Sequence, residues 1–239
     1  GTKALYEAAG WNEWFTIEEP APVVGDQFID AASGLKFEIT SLDPKAVKVI
    51  ANSYTSTAYE VPATVSYLSE TYTVTEIGEK AFLECFYLES VTLPESVTVI
   101  GEQTFAMCFT LQSIDLSNVT TIGGQAFMGC TNLQSINLSK ATAIGEEAFY
   151  GCEGLTSITL SETLTSIKNS AFNMCSKLES ITIPASVESI GELAFNACDV
   201  LASVTVSWTS NIPTPGERAF NFIASPAILH VPAGTKALY

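Results

Sequence analysis

The sequence predicts a solenoid of about seven stacked coils, with a parallel β-sheet on one face, short helical turns on the other and a β cap at its N-terminal end. The prediction follows from a repeat, from fixed apolar columns within it, and from a glycine that precedes most Ala-Phe pairs. A period of 22 or 23 residues is typical of stacked units that bury their apolar faces only against neighbours. The repeat is marked by six cysteines, each three residues after a phenylalanine and three before a leucine: Cys85, Cys108, Cys130, Cys152, Cys175 and Cys198.

Four apolar columns predict the core. The last two flank a polar residue, as in Ile114-Asp115-Leu116, and this period of two indicates a half-buried strand. We expect these strands to form one parallel sheet. The columns are Phe82, Phe105, Phe127, Phe149, Phe172 and Phe195; Leu88, Leu111, Leu133, Leu155, Leu178 and Leu201; Val91, Ile114, Ile136, Ile158, Ile181 and Val204; and Leu93, Leu116, Leu138, Leu160, Ile183 and Val206.

The turns opposite the strands are predicted at the Ile-Gly-x-x-Ala-Phe motif. A glycine there is free to adopt unusual dihedral angles, and we expect it to turn the chain into a short helical segment. Lys168 takes the place of the glycine in one coil, so a positive φ is not expected to be obligatory. The glycines are Gly78, Gly101, Gly123, Gly145 and Gly191.

Residues 21–58 do not fit the period and are predicted to be an N-terminal β cap. Leu35–Ile39 and Val47–Ile50 alternate like strands, with Asp43-Pro44 as a turn between them. Such a cap covers the open sheet edge of the first coil. The solenoid is then expected over residues 59–239, with a hairpin inserted at Ser66–Val74 and a seventh coil in which Ile223 replaces the cysteine.

The hexapeptide Gly-Thr-Lys-Ala-Leu-Tyr occurs at residues 1–6 and again, unchanged, at residues 234–239. One interpretation is a piece cut from a tandem array, with a leftover at its start. The other is that residues 1–20 resemble the C-terminal cap of a preceding module. On this second interpretation, Trp11, Trp14 and Phe15 are too apolar to remain in water. It predicts head-to-tail self-association through residues 1–18.

Composition and charge exclude several partner classes. The net charge is −16, and the ten Lys and Arg residues are scattered without a run, which argues against nucleic-acid binding. An acidic surface disfavours anionic membranes, and no stretch approaches the roughly twenty apolar residues of a membrane span. Because the chain begins with the repeated hexapeptide, we expect it to be a fragment, so the lack of a signal sequence has no bearing on export.

The six cysteines are predicted to form a buried column of free thiols. They allow fifteen pairings on paper. However, in-register side chains lie about 4.8 Å apart, which is longer than the roughly 3.8 Å Cβ separation that a disulfide prefers. Metal binding is disfavoured because ligands one coil apart lack the short spacing of zinc sites. A free cysteine in such a column behaves as a small hydrophobe.

The sequence offers little for catalysis. Its one histidine, His230, lies in the strand slot equivalent to Thr92, with no nucleophile or orienting group nearby in sequence. The acidic pairs Glu18-Glu19 and Glu146-Glu147 are interpreted as solvated surface. No phosphate loop, zinc-helix motif, nucleophile elbow or calcium loop is present. We therefore expect no enzymatic activity, no cofactor and no metal.

The repeat resembles the leucine-rich repeat family, on Leu88-Glu89-Ser90-Val91-Thr92-Leu93 and its equivalents. The Ile-Gly-x-x-Ala-Phe-x-x-Cys lead-in is similar to the BspA-type branch of that family, which is found in exported surface proteins of bacteria and some protozoan parasites. The resemblance implies a leucine-rich repeat solenoid that is secreted or at the cell surface. It also implies adhesion to host extracellular proteins or to other microbes. The chain departs from the broader family in lacking the Asn after the strand.

The polar positions between the core columns are the candidate partner-binding face. Solenoids commonly bind partners on the strand side. The alternative is that small hydroxyl side chains simply suit cross-strand packing, and both interpretations can hold together. A further alternative function is a structural spacer in a tandem surface array. The candidate residues are Ser90, Thr92, Gln112, Ser113, Asp115, Gln134, Ser135, Asn137, Ser157, Thr159, Ser180, Thr182, Ser203 and Thr205.

Overall fold

The computed structural model describes residues 7–9, 21–52 and 54–236, and it shows a β-solenoid of about eight turns. Most of the predicted tail at residues 1–20, and the first copy of the hexapeptide, lie outside the described residues. Among those that are described, no helix is long and apolar enough to cross a bilayer.

Eight short parallel strands lie one above another on one side of the solenoid, which we call the strand face. Ser135 lies opposite Ser157, and Ser180 opposite Ser203, so the repeats stack in register. The strand at Ala58–Glu60 precedes those of the seven predicted coils and brings the number of parallel strands on this face to eight. The strands are β4 (Ala58–Glu60), β7 (Ser90–Thr92), β9 (Ser113–Ile114), β11 (Ser135–Leu138), β13 (Ser157–Leu160), β15 (Ser180–Ile183), β17 (Ser203–Val206) and β18 (Ile228–His230).

A second parallel sheet, which we call the back sheet, runs along another side of the coils, so the prediction of a single sheet is incomplete. Most of its rungs are two residues long and end at the isoleucine before the glycine, as at Ile122 and Ile144. Two residues are too few to show a period of two in the sequence. The strands are β6 (Glu70–Ile77), β8 (Val99–Ile100), β10 (Thr121–Ile122), β12 (Ala143–Ile144), β14 (Ser166–Ile167) and β16 (Ser189–Ile190).

Four more strands extend the back sheet beyond the first coil. Antiparallel pairs β1-β2 and β2-β3 form a cap, and β3 pairs in parallel with β6. Phe37 and Val49 of this cap are fully buried against the first coil. The hairpin predicted at Ser66–Val74 is formed by β5 and β6. These strands are β1 (Gln27–Ile29), β2 (Lys36–Leu42), β3 (Lys45–Ala51) and β5 (Thr64–Tyr67).

The segments opposite the strand face are not helical, and the predicted helical turns are wrong. No helix occurs between residues 54 and 230. The N–H groups of Gln125, Phe127 and Gly129 donate to carbonyls of the next coil at 2.8–2.9 Å. Those of Met128 and Cys130 donate to carbonyls three residues back. In an α-helix each N–H group donates to the carbonyl four residues back, so a helix at this position could not form the hydrogen bonds between coils. We call this arrangement the turn ladder.

The turn ladder requires two left-handed residues in each coil. Gln125 has φ 55° and Gly129 has φ 74°. For a residue other than glycine this conformation costs about 1–2 kcal/mol, which the hydrogen bonds between coils must offset. The positions are Lys80, Glu84, Gln103, Met107, Gln125, Gly129, Glu147, Gly151, Ser170, Met174, Leu193, Ala197, Arg218 and Phe222.

The glycine column before Ala-Phe is needed for space rather than for unusual dihedral angles. None of these glycines has a positive φ, and neither does Lys168 in the same column, so a positive φ is not required there, as expected. A Cβ atom on Gly123 would lie 2.5 Å from the backbone nitrogen of Glu102, and one on Gly145 would lie 2.4 Å from that of Gly124. A side chain at Gly123 or Gly145 would therefore push neighbouring coils apart.

The four predicted core columns are confirmed, with only Leu93 and Ile158 partly exposed. The phenylalanine rings stack from Phe82 to Phe220 with centroids 5.1–5.4 Å apart. Tyr59 starts this stack with an edge contact to Phe82 at 5.4 Å. The interior is thus a set of continuous apolar columns that run the length of the solenoid.

The predicted column of buried thiols is also found, because all six cysteines are free and buried. Each thiol after the first donates to the phenylalanine carbonyl of the preceding coil, as Cys130 Sγ does to Phe105 O at 3.2 Å. Burial raises the pKa of Cys130, Cys152 and Cys175 well above its usual range, and raises the pKa of Cys198 to about 12.

We predict that Gly123→Ala destabilises the protein by about 1–3 kcal/mol, because the methyl group overlaps the backbone of the preceding coil. Gly124→Ala is the matched control. Its Cβ would lie 3.4 Å from the nearest atom, Glu146 O, so its stability should stay within about 0.5 kcal/mol of the parent. Urea unfolding monitored by circular dichroism measures both. Equal midpoints for the two variants would contradict a coil spacing limited by the glycine column.

We predict that stability falls as the pH rises above about 8.5, where thiols of the unfolded chain ionise and the buried thiols of Cys130, Cys152 and Cys175 do not. Above that pH, each such thiol lowers the free energy of unfolding by up to about 1.4 kcal/mol per pH unit. At pH 7 it has no such effect. The double variant Cys130→Ala, Cys152→Ala should therefore show a shallower slope, whatever its stability at pH 7. The measurement is urea unfolding under reducing conditions from pH 7 to 10. Parallel slopes for parent and variant would refute the role of the thiols.

Candidate functional site

The strand face presents the predicted polar columns to solvent. Strand pairing brings the serines side by side from coil to coil, and the polar residue two positions later forms a parallel column. Twelve of the fourteen candidate side chains are exposed, and the other two, Ser203 and Thr205, are partly exposed. The face is therefore accessible along its whole length. Its small side chains leave it without protruding groups.

Two candidate residues already have partners within the chain. Asp115 Oδ1 accepts a hydrogen bond from the Ser117 N–H at 2.9 Å, and Asn137 Oδ1 accepts one from Ser139 N–H at 3.1 Å. These two hydrogen bonds stabilise the turn that follows the strand in each coil. The hydrogen bond from the Ser117 backbone N–H lowers the pKa of the Asp115 carboxyl. Asp115 consequently remains an anion on this face at neutral pH.

A polar groove of about 340 Å³ runs along the edge where the chain enters the strands. It brings together the predicted residues Gln112 and Gln134 with Asn132 and Lys177, which were not predicted. Within the part of the chain that the structure describes, none of these four side chains makes a hydrogen bond or a salt bridge. Their amide and ammonium groups are therefore available to a partner. The other lining residues are Thr131, Gly154 and Thr156.

Gly154 forms the floor of this groove. A Cβ atom there would lie 2.5 Å from Thr131 O, so only glycine allows the two coils to approach this closely. The equivalent positions in the neighbouring coils are Asn132 and Lys177. The groove therefore exists because one coil lacks a side chain between two coils that have long ones. The only sign of the groove in the sequence was Gly154, a single glycine at a position that varies from coil to coil.

Exposed aromatic rings continue the same edge toward the N-terminal end. Phe86 and Phe109 directly follow the cysteines of successive coils, and their rings stack with centroids 5.5 Å apart. Both are about two-fifths exposed, while Tyr87 is 77% exposed and Tyr54 is 61% exposed. Aromatic residues dominate binding hot spots. They lie beside the strand face rather than on it, so the sequence columns did not include them.

The strand face carries acidic charge. Glu89 and Glu179 flank it, Asp115 lies on it, and Lys177 provides a positive charge at the groove. No group of His, Cys, Asp or Glu suited to a metal ion occurs among the described residues. His230 is exposed on β18 opposite Thr205, and no described residue hydrogen-bonds to its side chain. The described part of this surface therefore consists of exposed hydroxyl, amide, acidic and aromatic side chains.

Comparison with known proteins places this arrangement in context. A family model described as BspA type Leucine rich repeat region matches residues 55–143 and 138–237, with six copies. Among solved structures, the leucine-rich repeat protein of T. pallidum is 26% identical with a TM-score of 0.69, covering 79% of this chain and 86% of that chain. No curated protein matches the sequence.

Two further solved structures share the fold. A leucine-rich cell surface protein of Faecalibacterium prausnitzii is 25% identical with a TM-score of 0.59, over 78% of this chain and 55% of that chain. This chain therefore spans about half the length of that protein. The pneumococcal vaccine antigen PcpA is 17% identical with a TM-score of 0.60, over 86% of this chain and 71% of that chain, which shows the fold alone.

Proposed function

Because this chain belongs to the BspA-type leucine-rich repeat family, we propose that it is a protein-binding module of a bacterial surface or secreted protein. It contacts its partner through the strand face and the edge beside it. The observation that carries this proposal is the continuity of that edge. The groove holds the unpaired amides of Gln112 and Gln134, and its Thr131 hydroxyl donates to Phe109 O at 3.3 Å. The Phe109 ring in turn stacks on Phe86.

The partner that fits this surface is an extended protein segment with a neutral or basic character. Hydroxyl and amide groups repeat at the spacing of the strands, so each coil offers a similar weak set of hydrogen bonds. The aromatic rings supply the apolar contact that the strand face itself lacks. Acidic groups along the face favour basic partners and repel acidic ones. Host extracellular proteins and surface proteins of other microbes are the candidates.

A spacer in a tandem surface array is the second candidate function. The hexapeptide shared by residues 1–6 and 234–239 favours it, because identical segments at both ends are typical of repeated modules. In that case the strand face would have no partner. The binding experiment therefore has to separate these two functions.

We predict that the domain binds at least one member of a panel of immobilised matrix glycoproteins, and that Ser135→Arg weakens this binding at least tenfold. The arginine places a long charged side chain in the middle of the strand face, where Ser135 is exposed. Phe109→Ala should weaken it as well, by removing half of the aromatic pair. Surface plasmon resonance at two salt concentrations gives the affinities.

Ser189→Arg is the matched control, because Ser189 is also an exposed serine in a strand but lies on the back sheet. It should bind like the parent. Equal loss in Ser135→Arg and Ser189→Arg would refute binding through the strand face. Absence of binding by the parent across the panel would favour the spacer.

A further inference from the structure

The last coil leaves core positions uncovered. Leu229 pairs with Val204 in the strand-face ladder, yet Leu229 is 50% exposed while Val204 is 6% exposed. Phe220 ends the ring stack and is partly exposed, whereas the six preceding phenylalanines are fully buried. These residues have the side chains of a solenoid interior, and no described residue forms a further coil over them. An uncovered end of this kind requires a cap.

The uncovered end forms a pocket of about 570 Å³, which we call the C-terminal pocket. Of the side chains that line it, only Thr214 is a hydroxyl residue, and the others are apolar or aromatic. Trp208 contributes an apolar wall, since its indole N–H donates to Val187 O at 2.8 Å. A pocket of this size and character is typical of sites that bury large apolar groups.

The turn ladder is also open at this end. In the coil before, Phe195 and Ala197 donate their N–H groups to Ala219 O and Asn221 O at 2.7 and 2.9 Å. The equivalent N–H groups of Phe220 and Phe222 have no acceptor among the described residues. The end therefore offers backbone donors as well as an apolar surface. A segment that brings aromatic side chains and free carbonyls would satisfy both.

The sequence itself contains a segment with this chemistry. Gly234 to Lys236 begin the second copy of the hexapeptide, and Thr235 is buried at this end, with its hydroxyl donating to Pro232 O at 2.7 Å. At its first occurrence the same hexapeptide is followed by residues 7–15, Glu-Ala-Ala-Gly-Trp-Asn-Glu-Trp-Phe. The segment that follows this hexapeptide thus carries three large aromatic residues. In the register of the second copy, that segment would come next to the C-terminal pocket.

A chain cannot fill its own pocket with Trp14 or Phe15. Phe15 precedes Val23 by eight residues, which span at most about 29 Å when extended. Val23 lies at the cap, and six steps of the ring stack separate the first coil from Phe220, about 30 Å. The cap strands β2 and β3 add about 10 Å more. Trp14 and Phe15 can therefore reach this pocket only from another molecule.

We infer that residues 7–15 of a second copy of this chain dock in the C-terminal pocket, with Trp11, Trp14 and Phe15 covering the last coil. The contact is heterologous, so each copy offers both a docking segment and a pocket. Copies of the chain then join head to tail and continue the solenoid axis. The strand faces remain free in such an assembly.

The test uses two complementary variants of the full chain. One carries Trp11→Ala and Trp14→Ala, so its docking segment lacks both indole side chains. The other carries Leu229→Arg, which places a charge in the pocket at a half-exposed position where folding should tolerate it. Circular dichroism and urea unfolding confirm that both are folded. Sedimentation and light scattering then give the mass of each protein, alone and mixed, at concentrations up to about 100 μM.

The parent should reach at least twice its mass of 25.5 kDa as its concentration rises. Each variant alone should remain a monomer, and an equal mixture should form a heterodimer that grows no further. The control Ser189→Arg, and Ser135→Arg on the strand face, should both associate like the parent. A monomeric parent, or a mixture that stays monomeric, would overturn the proposal. Either result leaves the strand-face binding experiment unaffected.

Discussion

Backbone hydrogen bonding between coils is the interaction on which the rest of this structure depends. Backbone N–H groups of each coil donate to carbonyls of an adjacent coil along the strand face, the back sheet and the turn ladder. This bonding holds successive rings such as Phe127 and Phe149 at 5.2 Å and leaves no room for a side chain at Gly123 or Gly145. Core columns, thiol column and glycine column are all consequences of this one spacing.

The same spacing explains the candidate site. The strand face presents hydroxyl and amide groups repeated at a fixed distance, and only local departures from the repeat distinguish one part of the face from another. Gly154 is such a departure, because it opens a groove between Asn132 and Lys177. Phe86 and Phe109 are another, because later coils carry other residues after the cysteine. We therefore expect the specificity of the proposed binding to depend on the positions where the repeat is broken.

Much of the fold was predictable because the core columns and the cap strands alternate clearly. The helical turns were predicted wrongly, because a glycine before Ala-Phe is compatible with both a helix start and a close approach of backbones. Non-glycine residues such as Gln125 and Glu147 also gave no sign of a positive φ. For the site, the strand face followed from the polar columns. The groove and the aromatic pair did not, because they depend on which side chains neighbouring coils place next to each other.

The turn ladder is the central claim of this account, and the acceptor of each turn hydrogen bond tests it most directly. Through-hydrogen-bond scalar couplings measured by NMR identify the carbonyl bonded to a given N–H. The account predicts a coupling from the Phe127 N–H to the Ala148 carbonyl, in the next coil. A coupling from that N–H to the Gly123 or Gly124 carbonyl would instead indicate a helical turn within one coil, and would contradict it.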